Sequence, residues 1–394
     1  MTRPVRLLLT AGEASGDRLG AGLIRALRRK LPDQSLDVMG VGGRLMAAEG
    51  LESLFDMSEL SVLGLFEGVR AFPRIVRRAN DVAALARQSQ PDLAVLIDSW
   101  GFSLRVAQRL RRLQPPVFVV KYVGPQVWAS RPGRARTLAG AVDHLLSTQR
   151  MDAPYYADLG LPLTFVGNPA LTMDLSGVDG PRGRQRLGLG PEEPLLLVLP
   201  GSRASEVARL SEPFGAAAAQ LAAAVPGLTV AVVVAPTVAE QVRAAVARWT
   251  VPVRWIESDA DKLDIMAGCT AALAASGTVS TELALCGGPM VIGYRIGDLS
   301  YALLKPLMRT RFVTLFNIAA DREIAAERLQ SRCTAPELAA ALLPLLTDAR
   351  TRRAQSAAQT EALGLMGLGE ADPSDRAADA LIGDLRARGV LADR

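Results

Sequence analysis

The chain has 394 residues, too many for one core, so two domains are expected. A hydrophobic fraction of 49% beside 22% charged residues excludes a disordered chain. A net charge of +5, carried mainly by arginine and with no dense basic tail or RNA-binding signature, suits an anionic substrate or an acidic membrane surface and argues against nucleic acid.

The apolar part of the N-terminus, Met1–Leu9, is too short for a secretory signal. Arg6–Leu9 then reads as a strand, Asp17–Leu31 as a helix, Leu36–Met39 as a strand and Leu93–Ile97 as a buried strand. Leu104–Leu113 reads as a helix before the strand Val117–Val120. Segment Ser176–Pro194, rich in Gly, Pro and Arg, reads as a linker. Beyond it, strands are predicted at Leu195–Leu199, Val230–Val234, Val253–Ile256 and Ala271–Ala274, with helices at Glu212–Ala224 and Ala239–Arg248. Thr334-Ala335-Pro336-Glu337 has capping-box spacing and opens a helix, and Pro373–Leu385 reads as a final amphipathic helix.

Continuous apolar strands bounded by helices point to parallel sheets covered on both faces. The fold class is α/β, and two Rossmann-like domains facing each other across a cleft, with C-terminal helices, is the simplest architecture. The expected divisions are 1–170, 171–350, and a helical tail at 351–394 that packs back on the first domain. No run reaches the roughly 18 apolar residues of a membrane span. Cys269, Cys286 and Cys333 are few, odd in number and far apart, which fits a reduced compartment with no disulfide framework or thiolate metal cluster. The single histidine, His144, reads as structural.

Two short loops stand out. Gly201-Ser202-Arg203 follows Leu195–Leu199, and Ser276-Gly277-Thr278 follows Ala271–Ala274. Each precedes a helix. Small residues let main-chain N–H groups approach a ligand, and a helix N-terminus favours phosphate. Arg203 adds a fork of donors, and Glu282 an acceptor suited to ribose hydroxyls. Together they suggest a nucleotide-diphosphate site without a Walker lysine, although either loop alone is also an ordinary αβ turn.

The first half has its own loop, Gly12-Glu13-Ala14-Ser15-Gly16-Asp17, after its first strand. Glu13 and Asp17 would repel phosphate; they suit sugar hydroxyls or an ammonium, or Asp17 simply sits in the helix's first turn. Asp98 ends strand Leu93–Ile97, where a general base would stand or where an Asp would cap the next helix.

The chain resembles the lipid-A-disaccharide synthase family, inverting glycosyltransferases of the two-Rossmann GT-B type. The match carries Gly12-Glu13-Ala14-Ser15-Gly16-Asp17, Gly40-Val41-Gly42-Gly43, Leu60-Ser61-Val62-Leu63-Gly64 and Gln126-Val127-Trp128-Ala129. It continues through Phe165-Val166-Gly167, Leu199-Pro200-Gly201-Ser202-Arg203, Ser276-Gly277-Thr278, Pro289-Met290-Val291, Tyr294-Arg295 and Leu315-Phe316-Asn317, in order from about residue 7 to about residue 345.

The resemblance implies transfer of diacylglucosamine from UDP-diacylglucosamine to diacylglucosamine 1-phosphate, giving the lipid A disaccharide phosphate and UDP, with no metal or other cofactor. It implies that Gly201, Ser202, Arg203, Ser276, Gly277, Thr278, Glu282 and Asn317 hold the UDP-sugar, with Arg203 on the diphosphate and Asn317 near it. Glu13, Ser15, Gly16, Asp17 and Trp128 fall on the acceptor side, and Asp98 would be the base. Three segments depart from the family pattern. Asp98 is followed by Ser99-Trp100-Gly101-Phe102-Ser103, where the family has Ala/Ser-Pro-Asp-Phe-Asn. Val166-Gly167-Asn168-Pro169 replaces Val-Gly-His-Pro, and Thr314-Leu315-Phe316-Asn317 replaces Ser-Leu-Pro-Asn. Most of these changes lie on the acceptor side. A relative with another lipid acceptor, a UDP-sugar epimerase or a non-catalytic nucleotide-sugar-binding protein are the competing readings, and the oligomeric state is left open.

Segment Leu60–Arg78 alternates apolar residues with arginines. Leu65, Phe66, Val69, Arg70 and Arg74 suit the interface of an anionic membrane, or else an ordinary helix packed on the first domain. With an acylated substrate, the resemblance implies a cytoplasmic protein held peripherally at the inner membrane.

Overall fold

The computed structural model describes residues 3–60, 65–297, 301–302 and 305–392, with side chains for all of these except 65–71 and 259–260. The chain divides into two compact units, Met1–Pro169 with Glu370–Arg394, and Ala170–Gly369.

The first unit is built on seven strands: β1 (Val5–Ala11), β2 (Leu36–Val41), β3 (Glu52–Ser53), β4 (Leu93–Ile97), β5 (Val119–Tyr122), β6 (His144–Ser147) and β7 (Leu163–Phe165). They pair in the order β3-β2-β1-β4-β5-β6-β7, all parallel. Successive side chains on a strand point to opposite faces. Leu7 and Leu9 therefore enter one core with helix Ala14–Lys30, while Leu8 enters the other with helices Leu65–Ser89 and Trp100–Leu110. Both faces of the central strand β4 are buried, so it reads as an unbroken apolar run.

The second unit repeats the plan with β8 (Leu195–Leu199), β9 (Thr229–Val233), β10 (Val253–Ile256), β11 (Ala271–Ala275), β12 (Met290–Tyr294) and β13 (Ala326–Leu329). The order is β10-β9-β8-β11-β12-β13, again parallel throughout. Leu196 and Val198 face one core, and Leu195, Leu197 and Leu199 the other.

Several elements differ from the sequence expectation. Strand β5 runs to Tyr122 because Lys121, a charged residue in an apolar run, lies inside it. The helix expected at Glu212 begins at Ala204, since Glu206 serves its first turn instead of ending an apolar stretch. The segment Ser176–Pro194 is not a bare linker. It contains helix Gly180–Arg186, held to helix Asp259–Gly268 by Asp264, which is 2% exposed. Asp264 accepts from the Asp179 amide at 2.9 Å and from Arg182 at 2.6 and 2.7 Å.

The tail also divides differently. Helix Ala349–Leu365 belongs to the second unit: Ala362 and Leu363 join its core, and Gln355 bonds both the amide and the carbonyl of Met290. Only the final helix, Pro373–Ala387, belongs to the first unit, where Leu381 and Leu385 are buried. His144 bridges that helix to the sheet, with Nδ1 2.8 Å from Asp384 and Nε2 2.9 Å from the Thr164 hydroxyl.

Candidate active site

In each sheet the chain leaves its first strand in one direction and returns on the other side, so the strand order reverses beside that strand. Ligands of doubly wound sheets bind at such points, outside the carboxyl ends of the strands. In the second unit the reversal lies between β8 and β11, and both small-residue loops follow those strands. In the first unit it lies between β1 and β4, followed by the Gly12–Asp17 loop and by Asp98.

In the second unit, Gly201 has φ +112°, and a Cβ there would lie 2.7 Å from Glu206 Cβ, so the turn requires glycine. Arg203 stands at the N-cap of helix Ala204–Ala224. Glu206 is buried beneath the loop: one carboxylate oxygen accepts from the Ser202 amide at 3.2 Å and the other from Arg203 Nη1 at 2.9 Å. The Thr237 hydroxyl donates to the Ser202 carbonyl at 3.1 Å. The loop is thus braced from two sides while the Arg203 side chain is 73% exposed.

The second loop is built alike. Gly277 is the N-cap of helix Thr278–Leu285, the Ser280 hydroxyl closes back on its carbonyl at 2.7 Å, and Gly277 and Thr278 are exposed. One turn on, half-buried Glu282 accepts from Lys262 Nζ at 2.9 Å. One unit thus carries two helix N-termini, an exposed guanidinium and a carboxylate oriented by Lys262 at its strand-order reversal.

In the first unit, Asp98 and Ser99 both adopt left-handed backbone, with φ +47° and +43°. Such residues cost about 1–3 kcal/mol each and persist only where the surroundings enforce them. Ser99 lies over Gly12, where a Cβ would come within 2.7 Å of Ser99 Cβ, so the two loops interlock. Glu13 stands at this point, where partial desolvation and the neighbouring Asp98 push its carboxyl above the usual range. Beneath the turn Lys121 is 2% exposed, with Nζ 3.2 Å from the Leu96 carbonyl and donating also to the Asp98 carbonyl. Among the described residues no three His, Cys, Asp or Glu side chains form a metal-ligating group.

The family model for lipid-A-disaccharide synthetase matches residues 7–379. The lipid-A-disaccharide synthase of Rhodospirillum centenum is 44% identical over 392 residues, covering 100% of this chain and 97% of the relative. That of Paramagnetospirillum magneticum is 42% identical over 96% of this chain and 97% of the relative.

The chain belongs to the lipid-A-disaccharide synthase family.

It is a glycosyltransferase of lipid A disaccharide synthesis, with a UDP-sugar donor and a lipid acceptor. The fold agrees. A UDP-N-acetylglucosamine 2-epimerase structure from Listeria monocytogenes superimposes with a TM-score of 0.63 at 13% identity, covering 100% of this chain and 98% of that one. A calicheamicin glycosyltransferase gives 0.58 at 17%, covering 100% of each.

Some residues that the family resemblance brought forward are buried. Asn317 is fully buried: its amide donates to the Ala325 carbonyl and to Glu327, and its oxygen accepts from the Ile324 and Ala325 amides. With its amide and its oxygen bonded within the unit, it holds the loop before β13. Asp17 is buried too, and its carboxylate accepts from the amides of Gly43, Leu45 and Met46. It caps helix Arg44–Ala48, with Oδ1 accepting from Gly43 and Met46 and Oδ2 from Leu45. Trp128 is 6% exposed and Gly16 is buried, whereas Ser15 is exposed. Asp152, in the same unit, accepts from the Ser147 hydroxyl, and burial pushes its carboxyl up to about 6.

The stretch from Leu65 lies in helix Leu65–Ser89, which contains Pro73. The side chains of Leu65, Phe66, Val69 and Arg70 lie outside the described residues. Arg74 is exposed, and Phe72, 49% exposed, lies under the Arg105 guanidinium, 4.5 Å from the ring centroid. Among the described residues no helix is long and apolar enough to cross a membrane.

Sequence reasoning missed Glu206 and Lys121. Glu206 was signalled by its place three residues after the N-cap, the spacing of a capping glutamate. Lys121 was signalled by being the one charge in an apolar strand.

Proposed function

We propose that the second unit holds UDP-diacylglucosamine and the first presents diacylglucosamine 1-phosphate, and that the sugar passes in one in-line displacement with inversion. The acceptor's primary hydroxyl attacks the anomeric carbon, the bond to the diphosphate breaks, and Asp98 takes the hydroxyl proton. Charge accumulates on the leaving UDP. Arg203 and the N-termini of helices Ala204–Ala224 and Thr278–Leu285 meet that charge, a task a divalent ion performs elsewhere. Glu282 faces the ribose. Glu13 and Ser15 face the acceptor. The observation that carries this reading is the braced Gly201–Arg203 loop, with its exposed guanidinium at a helix N-terminus on the strand-order reversal.

Acyl chains on both substrates place the enzyme at the cytoplasmic surface of the inner membrane. The arginine-flanked stretch Leu65–Arg74 is the contact. Support comes from exposed Phe72 and Arg74 on the described part of that helix.

The deciding experiment is a transferase assay with the two acylated substrates in the presence of EDTA, following disaccharide and UDP. Turnover is expected. UDP binding without turnover would overturn the acceptor assignment, and turnover only after magnesium is restored would overturn the metal-free mechanism.

A further inference from the structure

Lys121 is the buried charge that the proposed chemistry leaves without a task. It lies opposite Leu96 in the β4–β5 register, and its ammonium donates to neutral oxygens. Asp98 is the negative charge that acts on it; burying the cation is still costly, and a methionine would fill the same space without that penalty. Burial pulls the Lys121 ammonium down to about 7.

Its three donors find three oxygens: the Leu96 carbonyl, the Asp98 carbonyl and Ser103 Oγ, at 3.2 Å for the first and last. The Ser103 hydroxyl itself donates to the Asp98 carbonyl at 2.6 Å. On its other side, the Asp98 amide donates to the Tyr122 carbonyl at 2.9 Å. Strand β4 ends in two left-handed residues, and this turns the Asp98 carbonyl out of the sheet ladder, where it needs other donors. Lys121 and Ser103 supply them, so the main chain of Asp98 is fastened at both its amide and its carbonyl.

We propose that Lys121, with Ser103 as its bridge, is a positioning residue that holds the left-handed Asp98–Ser99 turn and thereby fixes the direction of the Asp98 carboxylate. The inference rests on Asp98 being the base. Ser103 occupies the place of the Asn in the family pattern, so the bridge belongs to this chain's own version of the turn.

The test is steady-state kinetics on Lys121→Met and Ser103→Ala, each alone and combined with Asp98→Asn. A displacement of about 1 Å in a reacting group costs about a hundredfold. We expect kcat to fall by about 10- to 100-fold in Lys121→Met and by a smaller factor in Ser103→Ala. KM for the donor and UDP affinity stay at wild-type values. In the Asp98→Asn background either change costs less than about twofold more, because the group being aimed is gone. Wild-type kcat in Lys121→Met, a loss confined to KM, or losses that multiply fully in Asp98→Asn would overturn the proposal. Full turnover in Asp98→Asn alone overturns the base assignment itself, a separate and recognisable failure. If Lys121→Met does not fold, Ser103→Ala answers the same question; if Asp98→Asn is too slow to measure, the division between kcat and KM decides.

Discussion

Glu206 holds Arg203: a buried carboxylate, one turn into a helix, accepts from the guanidinium at 2.9 Å while its second oxygen ties down the Ser202 amide. The pair is less a surface ion pair than a bracket. It leaves the far side of a 73% exposed guanidinium free to meet an anion, with its rotamer already restrained.

Removing the two partners should therefore have different signatures. Arg203→Ala is expected to lower kcat by about 100- to 1000-fold, the cost of losing one donor to a developing negative charge. Glu206→Gln keeps Arg203 but loosens its aim, so donor KM rises by about tenfold with a smaller change in kcat. Steady-state kinetics with varied UDP-sugar checks both.

Asn317→Ala tests a structural assignment against a ligand assignment. Four committed hydrogen bonds in a fully buried site make this a stability residue. The expected loss is about 2–4 kcal/mol, seen as a lower midpoint of denaturant unfolding. An unchanged midpoint with weaker donor binding would return Asn317 to the ligand surface.

Asp264 should make stability depend on acid. The Arg182 guanidinium holds its carboxyl down at about 2, well below the ordinary carboxylate range. A depressed folded-state value means that the contribution is complete above the ordinary carboxylate range and disappears as pH falls toward the folded value. Asp264→Asn is expected to lower Tm by a few degrees at neutral pH. The difference from wild type should shrink between about pH 4 and about pH 2. Thermal scans over that range check it.

For the membrane contact, Phe72→Ser and the double change Leu65→Ser with Phe66→Ser should each weaken binding to vesicles containing anionic lipid by about tenfold, on the scale of one buried aromatic or leucine side chain. Added salt should weaken the wild type as well, through the flanking arginines. Vesicle co-sedimentation measures both, and unchanged binding in every variant would sink the contact.

Much of this molecule is legible from periodicity and small residues alone. Leu93–Ile97, Leu195–Leu199 and Val253–Ile256 are strands with the predicted bounds; the first two are apolar runs buried on both faces of a parallel sheet, and the third is an edge strand that leaves Arg254 and Trp255 exposed. The phosphate-suited loops were equally local, since a glycine turn followed by a helix start needs no distant partner. Tertiary structure decided the rest. Asn317 and Asp17 carry the same polar atoms on a ligand surface or in a buried cap, and only the neighbouring amides of residues 324–325 and 43–46 show where those atoms are used. Lys121 reads as an interruption of a strand until β4 is laid beside it and the turned-out Asp98 carbonyl comes within reach. The division of the tail at Glu370 depended likewise on which core Leu363 and Leu381 found. Sequence fixes what a residue can donate, accept or bury, whereas the partner that uses it comes from strands and helices far apart in the chain.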